Sequence, residues 1–297
     1  MSITQLNEIA ETAERERIPF WQVVLEAQCR EQDCSPAVAM ETMLGMYRAM
    51  EAADRDYDPG LRSISGMAGG DGEKLRRYRL EGGLLGPYLG EVLEKAVKMA
   101  ESNACMKRIV AAPTAGSCGV IPAVLLTYQR QKQVPEEQMV EALFTAAGIG
   151  EVIACNASIA GAEGGCQAEI GAACAMAAGA VIQLEGGSPE AICHGAALAI
   201  KSLLGLTCDP VAGLVEVPCI KRNASGAVLA VTAAQMALAG IRSAVPPDEV
   251  IDSMRRIGRL LPACLRETSQ EGLAITPTAM EIARRLRGNG ENHPDDT

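Results

Sequence analysis

Two cysteines stand eleven residues apart in the segment TCDPVAGLVEVPC at 207–219, and each of them is close to a proline. Pro210 and Pro218 restrict the backbone and remove hydrogen-bond donors, so the segment is predicted to be a rigid loop rather than a helix. A stiff loop that presents the thiols of Cys208 and Cys219 suggests ligands.

The chain contains eleven cysteines, an odd number. Its first residues are polar and acidic where a signal peptide would be apolar, so we expect a cytoplasmic protein with free thiols. The ligand candidates are five cysteines that sit beside or within two residues of Gly, Asn or Pro: Cys118, Cys155, Cys166, Cys208 and Cys219. The helical stretches contain Cys29, Cys174, Cys193 and Cys264, with Cys105 near a helix end and Cys34 at a helix junction. All of these but Cys34 are expected to act as small buried apolar residues.

Zinc is the usual ion for four close thiols, but the chain has no C-x2-C pair. Three dispersed cysteines also fit a cubane iron–sulfur cluster in which one iron has no protein ligand. Such an iron is a Lewis acid that can bind a substrate hydroxyl and carboxylate. The spacing alone leaves this choice open.

The composition limits the function classes. A net charge of −10 disfavours binding to nucleic acids and to anionic membrane surfaces. Two uncharged runs, 109–129 and 223–241, contain proline or many polar residues, so they are predicted as buried helices rather than membrane spans. An acidic small substrate would then need a local positive centre.

Helical signals dominate the sequence. Apolar residues recur at helical spacing from Leu89 to Ala100, and an N-cap residue precedes proline at Ser35, Ser188 and Thr276. Strand patterns are nearly absent, aromatic residues make up 3%, and Ala and Gly are abundant. We therefore predict an all-α fold, a compact bundle of small-residue-rich helices with functional Gly/Pro loops.

The organisation is predicted in three parts. A helical lead-in occupies 1–59, the main domain 60–287, and a disordered polar tail 288–297. The main domain opens with a glycine-rich connection over 60–82. Within it the segment 63–75, like the later segment 112–122, offers backbone N–H groups to an anion or forms simple turns. Neither segment has the pattern of a nucleotide-binding loop.

Four segments carry a family resemblance. They are GGDGEKL at 69–75, PTAGSCGVIPA at 113–123, EGGCQAEIGAACAMAAG at 163–179 and TCDPVAGLVEVPCIKRNA at 207–224. In these segments the chain resembles the iron–sulfur-dependent bacterial L-serine dehydratases, specifically their alpha subunit or domain. The motifs are long, appear in order and cover most of the main domain.

The resemblance implies a [4Fe-4S] cluster held by Cys166, Cys208 and Cys219. It also implies elimination of water from L-serine to give pyruvate and ammonium. Family members pair this alpha part with a beta part that carries a serine-rich loop with a histidine. No segment of this sequence matches that part, so we expect a beta subunit as partner in a hetero-oligomer.

Neither histidine of the sequence is a convincing catalytic base. The chain has two histidines, His194 in a predicted buried helix and His293 in the tail, and His194 is expected to be a hydrogen-bonded core residue. The base is therefore expected from the beta partner, with Lys221 and Lys74 as alternatives within this chain.

Polar residues in or near the motif loops are the candidates for substrate binding, although such residues more often cap backbone groups. They are Ser65, Thr114, Ser117, Asn156 and Asn223. Lys221 and Arg222 would supply a positive centre for a carboxylate, or form a solvated basic pair. Asp209 would support a ligand cysteine, or form an Asp-Pro turn.

Three other functions compete with this one. A pyridoxal-phosphate dehydratase would need a Schiff-base lysine and an α/β scaffold, and neither is indicated, so no pyridoxal phosphate is expected. A cysteine desulfidase-like lyase would use the same cluster with sulfide as the leaving group. A non-catalytic scaffold subunit would not require the three loop cysteines.

Overall fold

A computed structural model describes residues 3–290 of the chain. Thirteen α-helices occupy this range, and within it there is no strand, only an isolated bridge between Cys208 and Arg266. The helices are α1 (Leu6–Glu16), α2 (Phe20–Gln32), α3 (Pro36–Arg55), α4 (Asp71–Leu80), α5 (Gly86–Ala104), α6 (Val120–Lys132), α7 (Glu136–Asn156), α8 (Gly161–Gly164), α9 (Ala172–Leu184), α10 (Pro189–Lys201), α11 (Cys219–Leu238), α12 (Pro247–Leu260) and α13 (Pro277–Gly290). The predicted all-α class is confirmed.

Helix α9 forms the centre of the bundle. Every residue from Ala172 to Ile182 is buried, and α6, α7, α10 and α11 pack around the helix. Small residues allow this close approach: a Cβ atom added to Gly179 would lie 2.2 Å from the Ile149 side chain. The prediction of closely packed, small-residue helices is confirmed, and this packing holds the segments that precede α9 and α11 beside one another.

Local sequence signals place the helix starts correctly. The Oγ atom of Ser35 accepts from the Val38 N–H at 3.4 Å, and that of Ser188 accepts from the Ala191 N–H at 3.1 Å. The Thr276 hydroxyl caps α13 in the same way, by accepting from the Ala279 N–H. Each hydroxyl satisfies one of the unpaired N–H groups of a first turn.

Four predictions of organisation need correction or qualification. The glycine-rich connection 60–82 contains α4, and the run 109–129 becomes helical only at Val120. The predicted tail begins at 288, but α13 continues to Gly290; residues 291–297 lie outside the described range, as does His293. The division between lead-in and main domain at residue 59 stays a prediction.

Two helical segments, Glu136–Asn156 and Gln167–Leu184, have the length and apolar composition of a membrane-crossing helix. In their most apolar windows, however, 67% and 89% of the residues are buried inside the structure. Core helices of a large bundle have these properties, so length and composition are weak evidence here for a span.

Candidate functional site

Three buried thiols come together at the ends of distant segments. Cys166 precedes a π-helical turn over Gln167–Gly171, Cys208 lies on the isolated bridge, and Cys219 is the first residue of α11. Burial raises the pKa of Cys166 to about 11 and that of Cys219 to about 12. The pKa of Cys208 is raised further, first by burial and then by the charges of Cys166, Glu169 and Cys219. Thiols that influence one another in this way share one site.

The backbone around Cys166 is held by a glycine and a buried amide. Gly165 has φ +75°, and a Cβ atom there would lie 2.8 Å from the Leu206 carbonyl oxygen. The Gln167 N–H donates to that carbonyl at 3.1 Å, while its side-chain Oε1 accepts from the Gly205 N–H at 2.9 Å. The first thiol is thereby fixed against the chain that leads to the second.

The segment around Cys208 is strained as well as tethered. The Cys208 N–H donates to the Leu265 carbonyl at 2.9 Å, and the Glu267 N–H donates to the Cys208 carbonyl at 2.8 Å. Three non-glycine residues near this pairing have left-handed backbones: Ala212, Glu267 and Ser269. Such strain persists only where surrounding contacts impose it, and it is typical of functional sites.

Arg222 supports the thiols from inside the protein. Its guanidinium donates to the Thr207 carbonyl at 2.7 Å and to the Asp209 carboxylate at 2.9 Å, and Asp209 also accepts from the Leu273 N–H. The positive charge of Arg222 opposes the rise in the pKa of Cys166. Of the two alternatives for Asp209, the structure favours the supporting role, and it commits Arg222 to internal partners.

Asn223 joins two of the motif loops. Its side-chain oxygen accepts from the Gly119 N–H at 2.8 Å, and its amide donates to the carbonyls of Gly116 at 2.7 Å and Cys219 at 3.0 Å. The residue is 1% exposed. Its amide is therefore occupied in positioning the third thiol.

A carboxylate that the sequence analysis did not single out lies beside the thiols. Glu169 accepts from the Thr114 hydroxyl at 2.8 Å, and the Thr114 and Ser117 hydroxyls are 3.1 Å apart. Burial, and next the charge of Glu267, raise the pKa of Glu169, while the Thr114 hydrogen bond lowers it. Glu169 lies in the same motif as Cys166, less than one helical turn later, and this position is the sequence signal that could have marked it as a site residue.

Two predicted substrate donors have other partners. The Ser65 hydroxyl donates to Glu216 at 2.6 Å, as does Ser63 at 2.7 Å. The Asn156 amide donates to the Thr4 carbonyl at 2.6 Å, at the end of α7. Among residues 3–290 neither side chain contacts a thiol, so the structure does not bring these two into the thiol site.

The two candidate lysines meet at one half-buried carboxylate. The ammonium groups of Lys221 and Lys74 lie 2.7 and 2.8 Å from the oxygens of Asp71. Their hydrogen bonds lower the pKa of that carboxyl. The structure thus places both lysines in a surface ion pair rather than against the thiols.

The glycine-rich segment 63–75 does bind an anion, and the anion belongs to the chain itself. The carboxylate of Glu101, 1% exposed, accepts the Tyr57 hydroxyl at 2.6 Å. It also accepts three backbone N–H groups, those of Gly69 at 3.2 Å, Asp71 at 2.9 Å and Gly72 at 3.1 Å. The predicted anion cradle is therefore a structural contact, filled from α5.

Most of the remaining cysteines lie where they were predicted. Cys29, Cys174 and Cys193 are within α-helices, Cys105 directly follows α5, and Cys34 joins α2 to α3. All eleven cysteines are free thiols.

Three cysteines differ in detail from the prediction. Cys264 lies in a short 3-10 turn, Ala263–Leu265, and not in an α-helix. Of the two further ligand candidates, Cys155 is exposed in the last turn of α7, and Cys118 is buried with its sulfur 3.9 Å from the Met99 carbonyl.

His194 is hydrogen-bonded, as predicted: its Nδ1 accepts from the Ser243 N–H at 3.2 Å.

Comparison with known proteins shows the family of the chain. The family described as serine dehydratase alpha chain matches residues 15–274, a range that includes all three thiols. The chain belongs to this family. The sequence resemblance is thereby confirmed, and it covers most of the chain rather than the motifs alone.

Two alpha chains align with this chain along nearly their whole length. The probable L-serine dehydratase, alpha chain, of Bacillus subtilis (strain 168) is 45% identical over 284 residues, which is 95% of each chain. The L-serine dehydratase, alpha chain, of Peptoniphilus asaccharolyticus is 37% identical over 96% of this chain and 98% of its own. The L-serine dehydratase of Streptomyces coelicolor is 41% identical over 79% of this chain, but only 53% of its own length.

Proposed function

We propose that this chain is the alpha chain of an L-serine dehydratase, which removes water from L-serine and yields pyruvate and ammonium. The observation that carries the proposal is the convergence of three buried thiols from separate segments, in a chain that belongs to the serine dehydratase alpha chain family. The same convergence favours a catalytic chain over a scaffold subunit, which would not need these thiols.

The three thiols fit an iron–sulfur cluster better than a single ion. Among the described residues, no three His, Cys, Asp or Glu side chains are arranged to hold one metal ion. In a cubane cluster each cysteine ligates a different iron, so the sulfur atoms need not converge on one point. Cys166, Cys208 and Cys219 would be the ligands. Burial raises the pKa of all three thiols, and a bound cation would favour their thiolate forms.

When bound, a cluster with one iron free of protein ligands would supply a Lewis acid for the departing hydroxide. The chain's own residues shape the surroundings. Arg222 offsets the negative charge of the thiolates, and Asn223 fixes the loop that carries Thr114. Burial of the thiols excludes water from their side of the site.

A beta chain completes the proposal, in a cytoplasmic hetero-oligomer. No described histidine or lysine of this chain contacts the thiols, so the base that removes the α-proton is expected from the partner. An apolar groove of about 850 Å³ opens beside Glu267. It is lined by exposed side chains such as Ile64 and Met106, 90% and 81% exposed, which a partner would cover.

The test is anaerobic purification of the chain together with its beta chain. We expect iron and sulfide near about four each, as a cubane requires, and pyruvate formation from L-serine. Replacing Cys166, Cys208 or Cys219 by alanine should abolish iron binding, whereas C29A and C174A should retain it. Release of sulfide from L-cysteine without turnover of L-serine would instead identify a desulfidase-like lyase.

A further inference from the structure

Two carboxylates converge on one point next to Cys208. The point lies against Gly161, where a Cβ atom would be 3.0 Å from Glu169 Oε2, 3.1 Å from Glu267 Oε2 and 3.3 Å from Cys208 Sγ. The other oxygen of Glu169 packs against Gly116, where a Cβ atom would lie 2.8 Å from Glu169 Oε1. Any side chain at either glycine would displace this carboxylate.

Neither carboxylate has a cationic partner within the described residues. In this they differ from Asp209, which is paired with Arg222 at 2.9 Å. Glu169 accepts only the neutral Thr114 hydroxyl, and no Lys, Arg or His of residues 3–290 lies within 4.0 Å of Glu169 or Glu267. Glu267 has a strained, left-handed backbone with φ 61°.

We propose that Glu169, with Glu267 adding a second negative charge, binds the α-ammonium group of the amino acid substrate. The proposal rests on the proposed function, since it assigns a role in binding L-serine. Carboxylates repel the carboxylate of L-serine and offer its neutral hydroxyl only a hydrogen bond, whereas they attract its ammonium group by charge as well. Burying that ammonium group without a partner would be costly, and Glu169 removes the cost.

The assignment makes Glu169 a determinant of specificity. A site that binds a substrate ammonium through a carboxylate discriminates against the analogue that carries a neutral hydroxyl instead. L-alanine and L-lactate form such a pair, because they differ only in this group. Neither carries a leaving group on its β-carbon, so both should bind without reacting.

The experiment measures equilibrium binding of L-alanine and L-lactate by calorimetry, on the anaerobic complex of alpha and beta chains. The main variant is Glu169→Gln, whose side-chain oxygen still accepts from Thr114. Loss of a charged, partly buried partner should weaken L-alanine binding by about tenfold to hundredfold and leave L-lactate within about twofold. The KM for L-serine should rise by a similar factor, with a smaller change in kcat.

Two further variants calibrate the result. Glu267→Gln should weaken L-alanine binding less than Glu169→Gln, because Glu267 is exposed. Glu163→Gln is the matched control: it lies in the same motif, is exposed and removes the same charge, and it should change neither affinity.

Three outcomes would overturn the proposal. Equal weakening of L-alanine and L-lactate would show that Glu169 does not select for ammonium. Loss of iron from Glu169→Gln would assign the residue to cluster binding. Unchanged L-alanine affinity would remove it from the substrate site. A wild-type complex that fails to turn over L-serine would instead refute the proposed function itself.

Discussion

Replacing Asn223 by alanine tests how the thiol site is held together. The Asn223 side chain bonds to the Gly119 N–H, the Gly116 carbonyl and the Cys219 carbonyl, and it is 1% exposed. The Cys219 carbonyl lies in the first turn of α11, where a backbone N–H is its normal partner. The other two groups would lose a buried partner, and each unsatisfied buried group costs about 1–3 kcal/mol.

We therefore expect Asn223→Ala to lower the free energy of unfolding by about 3 kcal/mol, toward the lower end of the sum because water fills part of the vacated space. Urea denaturation of the full chain, with the slope m unchanged, measures this change. Asn156→Ala is the matched control. Asn156 also bonds to carbonyls, but it is exposed, so its loss should cost no more than about 1 kcal/mol. Equal destabilisation by the two substitutions would refute the reasoning.

The remaining predictions concern the carboxylates and the cluster. Gly161→Ala should reduce L-serine turnover at least about tenfold with little loss of stability, because the added methyl group would lie 3.0–3.3 Å from atoms of Glu169, Glu267 and Cys208. Measuring both the activity and the urea midpoint of the variant checks this prediction. Glu101→Gln should destabilise the protein by about 2 kcal/mol, since a carboxylate that accepts three backbone N–H groups loses its charge, whereas a comparable change at an exposed glutamate should not. Exposure of the complex to air should inactivate it, and ferrous iron with thiol should restore activity, because an iron without a protein ligand is open to oxidants; activity that survives air and is lost on borohydride treatment would indicate pyridoxal phosphate.

Much of the fold was available from local patterns. The helix starts after Ser35, Ser188 and Thr276 are each marked by a capping hydroxyl and by a proline at the next residue. Both residues exert their effect within the first helical turn. Glycine and proline likewise marked the segments around Cys166, Cys208 and Cys219. These signals depend on backbone conformation within a few residues, so the amino-acid sequence alone was sufficient.

Contacts between distant segments were not available in this way. Glu101 fills a glycine cradle 30 residues away, and Asn223 binds Gly119 across 104 residues, so neither partner could be read from neighbouring residues. The same limit explains why Asn223 and Asn156 looked equivalent in sequence, although only Asn223 joins the thiol loops. The sequence by itself determined the helices and the candidate thiols, because backbone preferences are local. Only the packing of helices decided which carboxylate, Glu169, lies beside them, because a side chain's partners depend on segments that meet in space.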